Sequence, residues 1–245
     1  MIKIDINCDV GEGMENEALL LPLISSCNIA CGGHAGDTVS MMKVATLAKE
    51  HHVLIGAHPS YPDRENFGRT TIQIAKKELK KSILTQIADL NAVLKPLGVG
   101  LNHIKPHGAL YNDLARDREL ALFFLDCIEK YKNEVFLYVP YHSRLEEEAL
   151  RLGFQIKYEA FADRNYNDDL SLVSRKDPLS MIQDPKGVED HLLHMVTKGM
   201  VVTLSGKWVK IKADTYCIHG DSPSTLQILM YLSKQLPKNQ IFIKK

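Results

Sequence analysis

The residues able to do chemistry in this chain fall in short strings where His, Lys, Arg or an acid stands beside Gly or Pro. These are Asp9-Val10-Gly11-Glu12-Gly13, Asn28 to Asp37 (NIACGGHAGD), Gly56 to Asp63 (GAHPSYPD) with Phe67-Gly68-Arg69, His103 to Asn112 (HIKPHGALYN), Glu159 to Tyr166 (EAFADRNY) and Cys217 to Asp221 (CIHGD). Such residue types suit proton transfer, stabilisation of a developing negative charge, and metal ligation. Lys105 and His107 are two apart and so share a strand face with His103. A buried lysine is costly unless paired or used, which marks the Lys105/His107 pair as a candidate centre. His34 is framed by Gly33 and Ala35-Gly36, and glycines let a ligand approach the backbone closely. His58, before Pro59, ends a strand. Asp9 and Glu12 follow the first strand, and His219 and Asp221 open a helix that Asp221 could cap.

Other histidines carry less. His51-His52 lie at a helix C-terminus, where interaction with the helix dipole explains them, and His191 and His194 form H-x-x-H without a Glu or a further ligand. There is no C-x-x-C, no G-x-x-x-x-G-K-[ST] phosphate loop, and Gly11-Glu12-Gly13 lacks the third glycine of a dinucleotide fingerprint.

The strings terminate β-like runs that alternate with helical ones. Ile2 to Asp9 alternates strictly, with Ile2, Ile4 and Ile6 on one face and Asp5, Asn7 and Asp9 on the other. Strands are predicted at 27–31, 53–58, 101–105, 135–139, 155–161, 201–204, 209–212, 216–219 and 241–243. Helices are predicted from Asp37 to about His52, at 73–97, 116–131, 143–152, 185–198 and about 223–236. Strand–helix alternation implies parallel pairing, hence an open doubly wound sheet or a β/α barrel. Polar residues on one face of the first strand favour the barrel, because an open parallel sheet is covered on both faces and reads continuously apolar. The expected fold class is therefore α/β, a single distorted TIM-like β/α barrel spanning residues 1–245. At roughly 150 residues per domain the length alone would leave one domain or two, and no linker or short repeat interrupts the series.

The chain has 30 Lys+Arg against 30 Asp+Glu, 45% hydrophobic and 24% charged residues. Zero net charge argues against general affinity for nucleic acid or anionic membranes. Charges at Lys3 and Asp5 interrupt the first apolar run and no longer apolar span occurs, so neither a secretory signal nor a membrane helix is expected and the protein is expected in the cytoplasm. Five cysteines are an odd count in a chain able to build its own core, and reduced thiols are expected.

Together, NIACGGHAGD, GAHPSYPD with FGR, KPHGALYN, EAFADRNY and IHGD closely resemble the LamB/YcsF family, in one register from Asp5 to about Leu236. The resemblance implies a barrel of the glycoside hydrolase/deacetylase type. It also implies ATP-dependent cleavage of 5-oxo-L-proline to L-glutamate by a 5-oxoprolinase, with this chain as the A-subunit of an assembly completed by subunits B and C. Asp9, Lys105 and His107 are then expected to be catalytic: Asp9 and His107 as acid/base groups, Lys105 as oxyanion stabiliser. Glu12, Asn28, Arg69, Arg164, His219 and Asp221 are expected to contact the substrate, the arginines through its carboxylate or a phosphate. ATP is expected as co-substrate. By analogy with the deacetylases, Asp9, His34 and His58 are candidate ligands of a divalent metal. Two other readings accompany this one: a stand-alone metal-dependent deacetylase or amidohydrolase, and a non-catalytic 5-oxoproline carrier. This chain departs from the family pattern at Cys27 (usually Ala), Thr70 (usually a second Arg) and Leu170 (usually Gly).

Overall fold

The strictly alternating run at the amino end forms β1 (Ile2–Val10) in the computed structural model, which describes residues 1–245. The chain continues through α1 (Glu17–Leu20), β2 (Ser26–Ala30), α2 (Thr38–Glu50), β3 (Leu54–His58), α3 (Lys76–Leu97), β4 (His103–Ile104), α4 (Gly108–Arg116) and α5 (Arg118–Cys127). Then come β5 (Phe136–Pro140), α6 (Arg144–Arg151), β6 (Ile156–Phe161), α7 (Pro185–Lys198), β7 (Met200–Val202), β8 (Trp208–Lys210), β9 (Thr215–Ile218), α8 (Thr225–Gln235) and β10 (Ile241–Ile243).

Strands β1 to β6 pair in chain order, all parallel, and β9 pairs with both β6 and β1, so the sheet closes into a barrel of seven strands. At the closure Asp5 lies opposite Thr215 and Cys8 opposite Ile218. Strand β10 extends the sheet along the start of β1. Local signals account for the helix ends: Asp37 caps α2 by accepting from the Ser40 amide, and Gly98 closes α3 in the left-handed conformation at φ 65°.

Two expectations are corrected. The helix predicted over 116–131 is shorter, α5 followed by a 3-10 turn at Glu129–Tyr131, because Asp117 ends the preceding α4 and restarts the chain as the N-cap of α5, accepting from the Leu120 amide. The stretch from Gly108, read only as a motif, is therefore α4. The run at 201–204 is not a barrel strand. It forms β7, antiparallel to β8, with Met200 opposite Lys210. The link from Thr203 to Lys207 is too short for a parallel crossover, and Gly206 takes φ 85° in the turn.

A continuous apolar cluster joins the outward faces of the strands to the helices, including Ile4, Ile6, Cys8 and Val10 of β1. The barrel interior is instead polar. Near its base, Asp5 accepts from the hydroxyls of Ser26 and Thr215, both at 2.7 Å, and Asn7 donates to Thr215 at 2.8 Å. These bonds satisfy groups that would otherwise destabilise the interior, and they form the platform for the layer above.

Candidate functional site

One layer up, Asp5, Asn7 and Asp9 share the inward face of β1, so Asp9 sits at the carboxyl-terminal mouth, where parallel barrels build their sites. Asn28 from β2 donates 2.8 Å bonds to the side-chain oxygens of Asn7 and Asp9, and its own oxygen meets His103 Nε2 at 2.7 Å. Asn28 is thus fully enclosed one layer below the mouth, holding Asp9. Lys105 follows β4 and is buried; its Nζ lies 2.8 Å from Asp9 Oδ1, 3.0 Å from Glu159 Oε1 and 3.1 Å from Cys217 Sγ. Burial alone would lower the lysine pKa, but Asp9 and Glu159 reverse this and raise it well above its ordinary value. Burial likewise pushes Asp9 up, and nearby His58 and Lys105 overcome it, holding the carboxyl well below the usual range. Lysine and Asp9 therefore face each other as a charged pair.

Above this pair Glu12, His34, His58 and His107 bring one ligand atom each within 4.8 Å of one another. His58 Nδ1 meets the Lys105 carbonyl at 2.7 Å and His107 Nε2 meets the Phe67 carbonyl at 3.0 Å. A carbonyl only accepts, so both of those nitrogens carry protons. His58 Nε2 and His107 Nδ1 then face each other at 2.9 Å as two lone pairs, an arrangement that requires a proton or a cation between them. Protonation is opposed at His107, where burial and then the neighbouring His34 and His58 lower the pKa well below its usual value. Burial and then Asp9 raise the Glu12 carboxyl, which lacks a fixed countercharge. His34 stacks on His107 at 3.6 Å and places Nε2 2.9 Å from Glu12 Oε1, while its Nδ1 is enclosed without a partner. The donor set of Glu12 Oε1, His58 Nε2 and His107 Nδ1, with contacts of 2.9 to 4.0 Å, fits a divalent cation of the zinc or manganese kind. Asp9 Oδ2 borders it, 3.5 Å from His58 Nε2.

Asp9, His58, Lys105 and His107 form one wall of a cavity of about 500 Å³ that is also lined by Arg69, Arg116, Arg164, Arg175 and Lys176. Arg69 pairs with Asp221. Arg164 is buried, donating to the carbonyls of Ser180 and Val173 at 3.1 and 2.6 Å; burial, then Arg175, lowers its pKa to about 10. His219 is held through its amide and Nδ1 by Asp163, at 2.9 and 3.0 Å, and faces the cavity. Gly220 allows the close approach of strands here: a Cβ would run into the Asp9 carbonyl oxygen. The structure thus brings Asp9, His58, Lys105, His107, Arg69, Arg164 and His219 to one cavity, gathers Glu12 and His34 with His58 and His107 in one cluster, and sets Asp221 against Arg69.

Sequence reasoning missed Glu159, Asp163 and Tyr111. Glu159 has the same parity as Phe161 on β6, so an acid on the inward face was available as a signal. Its pairing with Lys105 was not. Leu170 sits at φ 65°, a conformation in which Gly is unstrained, which accounts for Gly being usual there.

Fold and site together define a β/α-barrel protein with a buried lysine–carboxylate–histidine centre at its C-terminal mouth. The model of the LamB/YcsF family matches residues 4–245, and the chain belongs to that family. A relative from Thermococcus sibiricus, named as the A-subunit of 5-oxoprolinase, is 42% identical over 250 residues, covering 99% of this chain and 97% of its own length. One from Haemophilus influenzae with the same name is 40% identical, covering 99% of each. The crystal structure of the lactam utilization protein from Thermus thermophilus superposes with a TM-score of 0.92 at 35% identity, covering 99% of both chains. No helix here is long and apolar enough to cross a membrane.

Proposed function

We propose that this chain is the A-subunit of an ATP-dependent 5-oxoprolinase, working in the cytoplasm with subunits B and C to open 5-oxo-L-proline to L-glutamate. The observation that carries this reading is the Asp9–Lys105 pair and the histidine wall on one side of an arginine-rimmed cavity, in a chain whose full-length relatives bear that name.

The lactam is a small anion, and Arg69 and Arg164 give the cavity the charge to take its carboxylate. Ring opening breaks the amide C–N bond, adds hydroxyl to the carbonyl carbon and a proton to nitrogen. Asp9 Oδ1 is engaged by Lys105 and Asn28, which leaves Oδ2 to accept a proton at the cavity face. Lys105 Nζ, the buried ammonium of the cavity wall, offsets charge developing on the carbonyl oxygen. Glu12, His58 and His107 would hold the divalent cation, with His34 orienting Glu12, so His107 takes a ligand's part in this reading instead of that of a free acid/base group. A cation bound there supplies Lewis-acid polarisation of a carbonyl or activation of water. An unstrained lactam favours the closed ring, which is why ATP is required as co-substrate.

The test is an assay of the purified chain with 5-oxoproline and ATP, alone and with subunits B and C. Glutamate should form only with the partners and should be abolished by Asp9→Asn and His107→Ala. Unchanged turnover of the complex with both variants would make the chain a carrier; activity of the chain alone on an acetylated sugar would overturn the reading. Elemental analysis should find one divalent ion per chain in the wild type and none in His58→Ala.

A further inference from the structure

Lys105 and Glu159 form an ion pair that spans two cavities. Lys105 lines the cavity described above, whereas Glu159 lines a second one of about 190 Å³ at the same barrel mouth. Tyr111 and Phe161, edge to face at 5.8 Å, line both and form the partition.

The inner end of the second cavity holds a buried carboxylate, Glu159, beside the hydroxyl of Tyr111. Glu159 is 2% exposed, and both of its carboxyl oxygens are enclosed without an aligned hydrogen bond; the Lys105 ammonium is close to one of them but badly directed. The Tyr111 hydroxyl is enclosed in the same way. A carboxylate can accept about four hydrogen bonds, and leaving a buried one so poorly served is unfavourable unless a ligand completes it. Tyr166, Leu170 and Leu172 give the cavity apolar surface among polar groups that include Ser143, Asp169 and Ser171, and its lining includes the exposed Arg116. Leu170 keeps its side chain there at the expense of a left-handed backbone, the kind of strain that gathers at ligand sites.

We propose that this second cavity binds a small ammonium-carboxylate zwitterion, an α-amino acid, with its ammonium on Glu159 and Tyr111 and its carboxylate toward Arg116. The zwitterion's ammonium then meets the buried Glu159 and its carboxylate the exposed Arg116, with Asp169 also in the lining. A ligand ammonium on Glu159 competes directly with Lys105 for that carboxylate, so occupancy of the second cavity is felt by the lysine of the first. The proposal does not depend on the reaction assigned to the first cavity, and binding can be measured on the chain alone.

Isothermal titration of the purified chain with L-glutamate and with L-alanine tests it, with N-acetyl-L-glutamate as the probe lacking an ammonium. One saturable site for at least one of the two amino acids is expected, with no binding of the acetylated probe. Affinity should fall about tenfold or more in Glu159→Gln and in the surface variant Arg116→Ala. It should survive in His107→Ala, which alters only the first cavity. Absence of saturable amino-acid binding, equal binding of N-acetyl-L-glutamate, or full affinity in Arg116→Ala would each overturn the proposal. Thermal melting of Glu159→Gln shows whether a loss there reports folding; Arg116 lines both cavities, so loss in Arg116→Ala together with retention in His107→Ala, which lies in the first cavity alone, then decides.

Discussion

Replacing Lys105 by Met removes the only ammonium from a buried centre that holds two carboxylates, Asp9 at 2.8 Å and Glu159 at 3.0 Å. Methionine has a similar length and leaves little void, so the principal effect is electrostatic. Removing one partner of a buried ion pair costs ~3–5 kcal/mol, because the other charge stays in a medium that solvates it badly. Against a total stability of ~5–15 kcal/mol this is a large fraction. For a chain of this size each kcal/mol moves Tm by ~2–4 °C, so a fall of ~6–20 °C is expected. The alkaline pH dependence should also change. In the wild type the raised lysine pKa contributes stability that is fully present below the unfolded value near ~10.4 and is lost as pH rises through the higher folded value. In the variant no ammonium is present to titrate, so this alkaline loss should be absent. Adding Glu159→Gln to Lys105→Met removes one stranded charge and should restore part of the loss. Urea denaturation followed by circular dichroism at neutral and alkaline pH measures all three effects. A single-variant loss under ~1 kcal/mol, or a double variant no more stable than the single, would refute the claim that Lys105 is there to neutralise Asp9 and Glu159.

Three further outcomes are expected. His191 is buried and its pKa is lowered to about 4, so the unfolded chain takes up a proton first as pH falls below about 6.5 and stability declines by about 2 kcal/mol by pH 5; His191→Gln should remove that part of the slope in denaturation curves. Leu170 lies at φ 65°, where a side chain costs about 1–2 kcal/mol, so Leu170→Gly should be more stable than Leu170→Ala by about 1 kcal/mol in urea titrations; the reverse order would remove strain as the explanation. A Cβ on Gly220 would displace the Asp9 backbone, so, on the proposed function, Gly220→Ala should lower glutamate formation in the assay with subunits B and C about 100-fold with little change in the circular dichroism spectrum of the chain.

Much of this molecule is determined by the sequence alone, because local chemistry suffices. The alternation of Ile4, Asp5, Ile6, Asn7 and Asp9 dictates which side of β1 faces the barrel, Asp37 and Gly98 specify helix ends, and the order of strands and helices specifies parallel pairing. The strings at strand ends likewise name nearly all of the cavity's reactive groups. Tertiary structure decides what depends on distance between segments remote in the chain. It closes β9 on β1, excludes β7 from the barrel, and pairs Lys105 with Glu159 as well as with Asp9. It also orients the rings of His58 and His107 through two backbone carbonyls, so that their lone pairs converge beside Glu12 while His34 turns to the carboxylate. Spacing along a strand fixes the face on which a side chain emerges. Its partner across the barrel depends on register and curvature, which no local pattern encodes.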